Sequence, residues 1–176
     1  MQVICISAKA QHGKDTAATI LKNHVEAKGK KAIIIHYADL LKFICKQFFG
    51  WDGNKDERGR TILQYIGTDV VGAKKPEYWA EWVVSFLKLF EDEWDYVFIP
   101  DCRYPVEIDV TGSAFQTWLI RIVRPNFENG LTADQLQHPS ETAMDNYPFD
   151  VTILNDGDME LFTARLTCWF DYTFCE

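Results

Sequence analysis

The chain has 176 residues, 47% of them hydrophobic and 14% aromatic, and carries a net charge of −8. That suits one compact domain over residues 1–176 with a sizeable buried core. The acidic balance argues against a protein that coats a nucleic-acid polymer, whose surfaces are basic, but not against nucleotides, which need only a local cationic pocket.

In chain order, QVICIS (2–7) predicts a buried strand and is followed by SAKAQHGKDT (7–16) and a helix over 14–28 closed by Gly29. KAIIIHY (31–37) predicts a second strand. A helix over 39–49 comes next, with Leu40, Leu41, Ile44, Cys45 and Phe48 at helical spacing and Gly50 as its stop. Helices over 57–72 and 76–92 lead to a third strand, DYVFIP (95–100). A helix over 105–116, a strand WLIRIV (118–123), a strand DVTILN (150–155) and a helix over 158–170 complete the pattern. Strands alternating with helices imply an α/β fold of three layers, a five-stranded parallel sheet with helices on both faces. Residues 125–148 are the exception: polar, with Pro125, Gly130, Pro139 and Pro148 and no strand signal, they are expected to form a mobile lid.

The apolar start is too short for a signal peptide, and no run reaches the roughly 20 apolar residues that span a bilayer. The cysteines Cys5, Cys45, Cys102, Cys168 and Cys175 lack C-x-x-C spacing and read as free thiols in a reducing compartment. A soluble cytoplasmic protein is expected, without membrane or nucleic-acid partners. Its oligomeric state stays open, a homodimer included.

The stretch after the first strand departs twice from the phosphate-loop pattern G-x-x-x-x-G-K-[ST]. Ala8 replaces the first glycine and Asp15 follows Lys14. Its context fits, since it joins a strand to a helix at the first βα turn. Gly13 permits a tight turn near phosphate oxygens, the helix start offers N–H groups to anions, and Lys14 is placed for the β- and γ-phosphates. Asp15 is a hard-oxygen ligand for Mg²⁺, directly or through water, or else a helix cap. Thr16 is a poorer candidate, because one helical step rotates it about 100° from the loop.

SAKAQHGKDT, RTILQYIGTD (60–69), YWAEWV (78–83), PDCRYPVEID (100–109), IVRP (122–125), HPSE (138–141) and NDG (155–157), in this order, resemble the phage-type deoxynucleoside monophosphate kinases, relatives of adenylate kinase among the P-loop kinases. In that family an Asp also follows the loop lysine. The resemblance implies transfer of the ATP γ-phosphoryl to a (deoxy)nucleoside 5′-monophosphate with Mg²⁺, in the host cytoplasm if the gene is phage-borne. It also implies a helical monophosphate-binding region over about 38–92 and a lid over about 125–148. Rival readings are a kinase of another phosphorylated acceptor, like phosphomevalonate kinase of the animal type, and a protein that binds nucleotide without transferring phosphate.

Site expectations follow. Ala10, Gln11, His12, Gly13, Lys14, Asp15 and Thr16 of the loop, with Arg124, Asn155 and Gly157, are assigned to ATP. Asp101, at the carboxyl edge of the third strand, suits a metal role beside Asp15. Arg103 is placed to grip the acceptor phosphate, or forms a surface ion pair. Arg60 and Gln64 stand four apart on one helix face, over the acceptor by the resemblance; Asp39 and Lys42, in the helix after the second strand, are also assigned to the substrate, although Lys42 reads nearly as well as an exposed lysine. Arg124 opens the lid and is expected, with Lys14 and Arg103, to stabilise the phosphoryl in flight. His138 and Glu141 orient substrate or latch the lid, although a helix start at Pro139 explains Glu141 equally well.

Overall fold

The computed structural model describes residues 1–54 and 56–174, which leaves Cys175 outside the described residues. The central strand β1 (Gln2–Ala8) buries Val3, Ile4, Cys5 and Ile6 completely, as an apolar run covered on both faces must. It lies in a five-stranded sheet with β2 (Ala32–Ile34), β3 (Tyr96–Ile99), β4 (Thr117–Val123) and β5 (Val151–Leu154), in the order β2-β3-β1-β4-β5 and parallel throughout. Alternation along β1 feeds two cores. Ile4 and Ile6 meet Leu21 of α1 (Lys14–Ala27) and Phe162, Leu166 and Phe170 of α8 (Met159–Phe174) on one face. Val3 and Cys5 meet the other face, with α2 (Asp39–Phe48), α4 (Tyr78–Leu89) and α5 (Pro105–Ala114). Trp51 and Trp79 belong to this second core rather than to an open face. The expected three-layer α/β architecture is therefore present.

Several boundaries differ from the sequence pattern. The second strand stops at Ile34, not at residue 37, because Tyr37 N and Ala38 N turn away to donate to the Asp101 carboxylate at 2.9 and 3.1 Å. The helix expected over 57–72 is α-helical only as α3 (Glu57–Gln64), then widens to a π-helix, Tyr65–Gly72. The wider turn lets Gly67 sit against Leu41, where a Cβ would come within 2.6 Å of Leu41 Cδ2, and lets its carbonyl accept from Trp79 Nε1 at 3.1 Å. The helix 76–92 shortens to α4, and 158–170 extends to Phe174, whose ring packs on Tyr96 and Trp118. The polar stretch 125–148 holds two short helices, α6 (Ala133–Gln137) and α7 (Pro139–Thr142). Cys5, Cys45 and Cys102 are buried free thiols and Cys168 an exposed one. Among the described residues, no helix is long and apolar enough to cross a membrane.

Candidate active site

The sheet's carboxyl edge gathers the site, and the switch in strand order on either side of β1 opens a crevice there. The loop from Lys9 to Gly13 links β1 to α1. Gly13 caps α1 with φ +99°, and a Cβ there would meet Asn155 Nδ2 at 2.8 Å, so this glycine is needed twice over. Gln11 also takes a left-handed φ of 62°. These two left-handed residues turn the loop back toward the start of α1, at the positive end of its dipole, and His12 N closes the turn on the Lys9 carbonyl at 3.2 Å. His12 ties the loop to the ends of β4 and β5: Nδ1 accepts from Arg124 N at 3.0 Å, and its carbonyl accepts from Asn155 Nδ2 at 3.0 Å. Burial lowers the His12 pKa, which suits a ring nitrogen that accepts.

Lys14 Nζ and Asp15 Oδ2 are 3.0 Å apart. Asp15 does not cap α1, since no side-chain cap bond forms there. Its carboxylate instead lies 3.3 Å from His36 Nε2, and that hydrogen bond, with Lys14, holds it well below the usual carboxylate range. The other ring nitrogen of His36 is 3.4 Å from Asp39, whose second oxygen takes Lys42 Nζ at 3.0 Å. Burial opposes a charge on His36, but the bonds to Asp15 and Asp39 and the nearby Asp101 outweigh it and push the pKa up to about 9. The imidazolium thus pins Asp15 and Asp39 as carboxylates. Burial likewise opposes the charge of Asp39, and His36 and Lys42 reverse the balance.

Asp101 neither caps α5 nor stands open. Both its oxygens hold the start of α2, and α5 is capped by Tyr104 and Glu107. Glu107 is buried and accepts from Arg103 N at 2.6 Å and Tyr104 N at 3.0 Å. Burial, then the charge of Asp101, raises its pKa to about 8.

Arg103 Nη1 pairs with Glu141 Oε1 at 2.9 Å, and the other oxygen of Glu141 accepts from Ala10 N at 3.0 Å. The ion pair expected for Arg103 is therefore real, but it faces the phosphate loop. Glu141 sits in α7, whose start is as expected: Pro139 is the first helical residue and His138 the cap, its Nδ1 accepting from Ser140 N at 3.2 Å. Lys9 Nζ donates to the Glu141 carbonyl and lies 2.6 Å from Asp145; Arg121 donates to Asp145 at 2.9 Å and to the Met144 carbonyl at 2.8 Å. These contacts enclose a small cavity, about 10 Å³, between the loop, Arg103, Arg121 and α7. Residues 139–145 are thus tied to the loop and to β4.

The other expected residues fall further out. Gln64 Nε2 meets His138 Nε2 at 2.7 Å, so the α3 face and the start of α7 touch. Arg60 and Thr16 are exposed, Arg60 on the α3 face that carries Gln64. The Arg124 guanidinium lies over the Phe127 ring, 3.9 Å from its centroid. Gly157 stands in the turn between β5 and α8. Sequence reasoning missed His36, Lys9, Arg121 and Asp145. For His36 the signal was a histidine at the carboxyl end of an apolar run with Asp39 three residues on; for the others no local signal existed.

Among the described residues, no three His, Cys, Asp or Glu side chains are grouped to hold a metal. A divalent cation here would need phosphate oxygens to complete its shell, and Asp15, ionised and largely exposed beside the loop, fits that arrangement.

Residues 52–166 match the model of the family described as deoxynucleotide monophosphate kinase. The deoxynucleotide monophosphate kinase of Enterobacteria phage T4 is 30% identical over 61% of this chain and 43% of its own length. The uncharacterized protein ORF77 of Ictalurid herpesvirus 1 is 33% identical over 62% of this chain and 47% of its own. The chain thus spans less than half the length of the curated relatives it matches. Among solved structures, the Mycobacterium tuberculosis APS kinase CysC in complex with AMPPNP and APS aligns with a TM-score of 0.56 at 10% identity, covering 98% of this chain and 96% of the other. Dephospho-CoA kinase from Campylobacter jejuni aligns with 0.54 at 14%, covering 97% of each. At such identities these likenesses establish a shared fold.

Proposed function

The chain belongs to the deoxynucleotide monophosphate kinase family, and from that premise we propose that it transfers the γ-phosphoryl of ATP to a (deoxy)nucleoside 5′-monophosphate, giving the diphosphate. The observation that carries this reading is the single carboxylate of Glu141, which touches Ala10 N of the loop and Arg103 Nη1 at once. An arginine able to grip a phosphate therefore stands one carboxylate's width from the phosphate loop. Transfer between two bound phosphates requires that juxtaposition.

A monophosphate acceptor is anionic at neutral pH, so no strong general base is needed; alignment, charge neutralisation and exclusion of water are. The loop from Ala10 to Gly13 wraps the ATP phosphates; its Ala10 N–H is held by Glu141, so the Gln11 and Gly13 N–H groups and the first N–H groups of α1, with Lys14, are the donors offered to them. Asn155 and Gly157 border the adenine side. Arg103 takes the acceptor phosphate. Gln64, with Arg60 on the same helix and His138 across from it, faces the base, while Asp39 and Lys42 keep the His36 cluster charged. Asp15 would hold Mg²⁺, and Asp101, whose oxygens already serve α2, would reach it through water. The ion, when bound, would neutralise charge on the phosphates. Arg124 directly precedes the outer polar segment, 125–138, and closure of that segment would bring its guanidinium to the transferring group and shut out water. The enzyme would act in the cytoplasm, and a homodimer is compatible with it.

The test is a panel of nucleoside monophosphates incubated with ATP and Mg²⁺, with ADP release measured. Acceptor-dependent ADP with at least one deoxynucleotide is expected. ADP release no higher than the acceptor-free control across the panel would overturn the proposal.

A further inference from the structure

Glu141 presents a carboxylate whose side chain is only 7% exposed, and it accepts one bond on each oxygen. One donor belongs to the loop, the other to Arg103. Arg103 is fixed from two ends: its backbone N is held by Glu107, and its Nη1 by Glu141 and, at 3.3 Å, by the Ser140 carbonyl. Among the described residues nothing bonds its Nε or Nη2, so that edge of the fork is left for a ligand. Glu141 itself is anchored, since Lys9 Nζ donates to its carbonyl and Asp145 four residues on is gripped by Lys9 and Arg121. With both oxygens used inside the protein, the carboxylate is unlike a group waiting for substrate. A negative charge in contact with a substrate phosphate would also repel it.

We infer that Glu141 is a positioning residue. Its carboxylate bridges Ala10 N and the Arg103 guanidinium, sets the fork at a fixed distance from the phosphate loop, and presents Nε and Nη2 to the acceptor phosphate. This replaces direct substrate contact by Glu141 and rests on the kinase reading above. A misplacement of about 1 Å at such a site costs on the order of a hundredfold in rate, so the bridge has leverage without touching substrate.

The experiment is a double-mutant cycle with Glu141→Gln, Arg103→Ala and the double variant. Gln is isosteric and keeps a carbonyl for Ala10 N, and melting curves check that each variant folds. Glu141→Gln should lower kcat/KM for the monophosphate about tenfold to a hundredfold while KM for ATP stays within about twofold. On the Arg103→Ala background the same change should have no further effect. Losses that multiply in the double variant, or a Glu141→Gln enzyme with wild-type kcat/KM, would overturn the inference. If the wild-type chain transfers to no monophosphate, the kinase reading falls, and the cycle is then read on pyrophosphate affinity by calorimetry. Coupling between the two residues there sustains the bridge alone; additive changes, or no pyrophosphate binding, overturn it.

Discussion

Two stretches of the chain meet at the site, and they are built by opposite means. The phosphate loop is local: strand, left-handed glycine, helix start and lysine lie within ten consecutive residues, 7–16, and the backbone itself supplies most of the chemistry. The segment 139–147 comes from far along the chain and is held by charge pairs, Lys9 with Asp145 and Arg103 with Glu141, 136 and 38 residues apart. A local device tolerates substitution of its neighbours, whereas a long-range one depends on every member of its network. The segment just before it, 125–138, shares its polar composition yet is mostly exposed, with ties such as Gln11 Nε2 to the Asn129 carbonyl at 3.1 Å. Composition alone therefore does not separate a lid from a strap.

The largest effect should come from the local side. Lys14→Ala should abolish detectable transfer, a loss of about 10³-fold or more, while the melting temperature stays near wild type. On the proposed reading Lys14 is the loop's cation for the β- and γ-phosphates. Steady-state kinetics with melting curves check it, and near-normal turnover would break the phosphate-loop half of the contrast.

That contrast also explains what could be read beforehand. The sheet, the loop and the placing of Asp15 and Arg103 follow from hydrophobic period and contiguous spacing, both local in sequence. The Glu141 bridge, the Asp145 clamp and the His36 pairing with Asp15 across 21 residues do not, because a charge pair leaves no mark on the spacing of either partner. The π-helical turn escaped for a related reason. Tyr65–Gly72 carries an ordinary helical pattern, and the wider turn is set by Gly67 meeting Leu41 and Trp79. His36 was hidden by a boundary: an apolar run that ends at Ile34 rather than residue 37 moves it from the strand to the sheet's edge.

Next in size is a pH effect beneath Arg103. Glu107 has a folded pKa raised from 4.5 to about 8, so the folded state binds its proton more tightly than the unfolded chain does. Stability from this group is therefore full below about pH 4.5 and is lost as pH rises through about 8. Glu107→Gln, neutral at every pH and still able to accept from Arg103 N and Tyr104 N, should flatten that dependence. The variant should be the more stable form at about pH 9, by on the order of a few kcal/mol. Denaturant melts across pH test this, and parallel curves for the two proteins would sink it.

Asp15 should give a smaller and more specific change. Asp15→Ala should lower turnover about tenfold and raise the Mg²⁺ concentration needed for half-maximal rate, and Asp15→Ser should restore part of both by returning the hydroxyl of ordinary phosphate loops. A Mg²⁺ titration of turnover with each variant decides. An unmoved midpoint in Asp15→Ala would remove the metal role and leave Asp15 as the anchor of His36.

The smallest effect separates strap from lid. Asp145 accepts from Lys9 and Arg121, and although burial pushes its pKa up, those two bonds hold it low. The pairs are partly exposed, with side-chain exposures of 27% for Lys9 and 39% for Asp145, so each contributes only about 0.2–1 kcal/mol. Asp145→Asn should therefore lower global stability by no more than about 1 kcal/mol. Its local consequence should be larger, because the clamp holds 139–147 against the loop and β4, and a segment opens more often as its ties weaken. Limited proteolysis of the wild type should cut first within 125–132, with 139–147 protected. In Asp145→Asn, cutting in 139–147 should rise while the rate in 125–132 stays the same. Equal cutting of both segments in the wild type would erase the distinction between them. Protection of 139–147 unchanged by the substitution would shift the strap's hold from the Asp145 clamp to Glu141 and buried Met144.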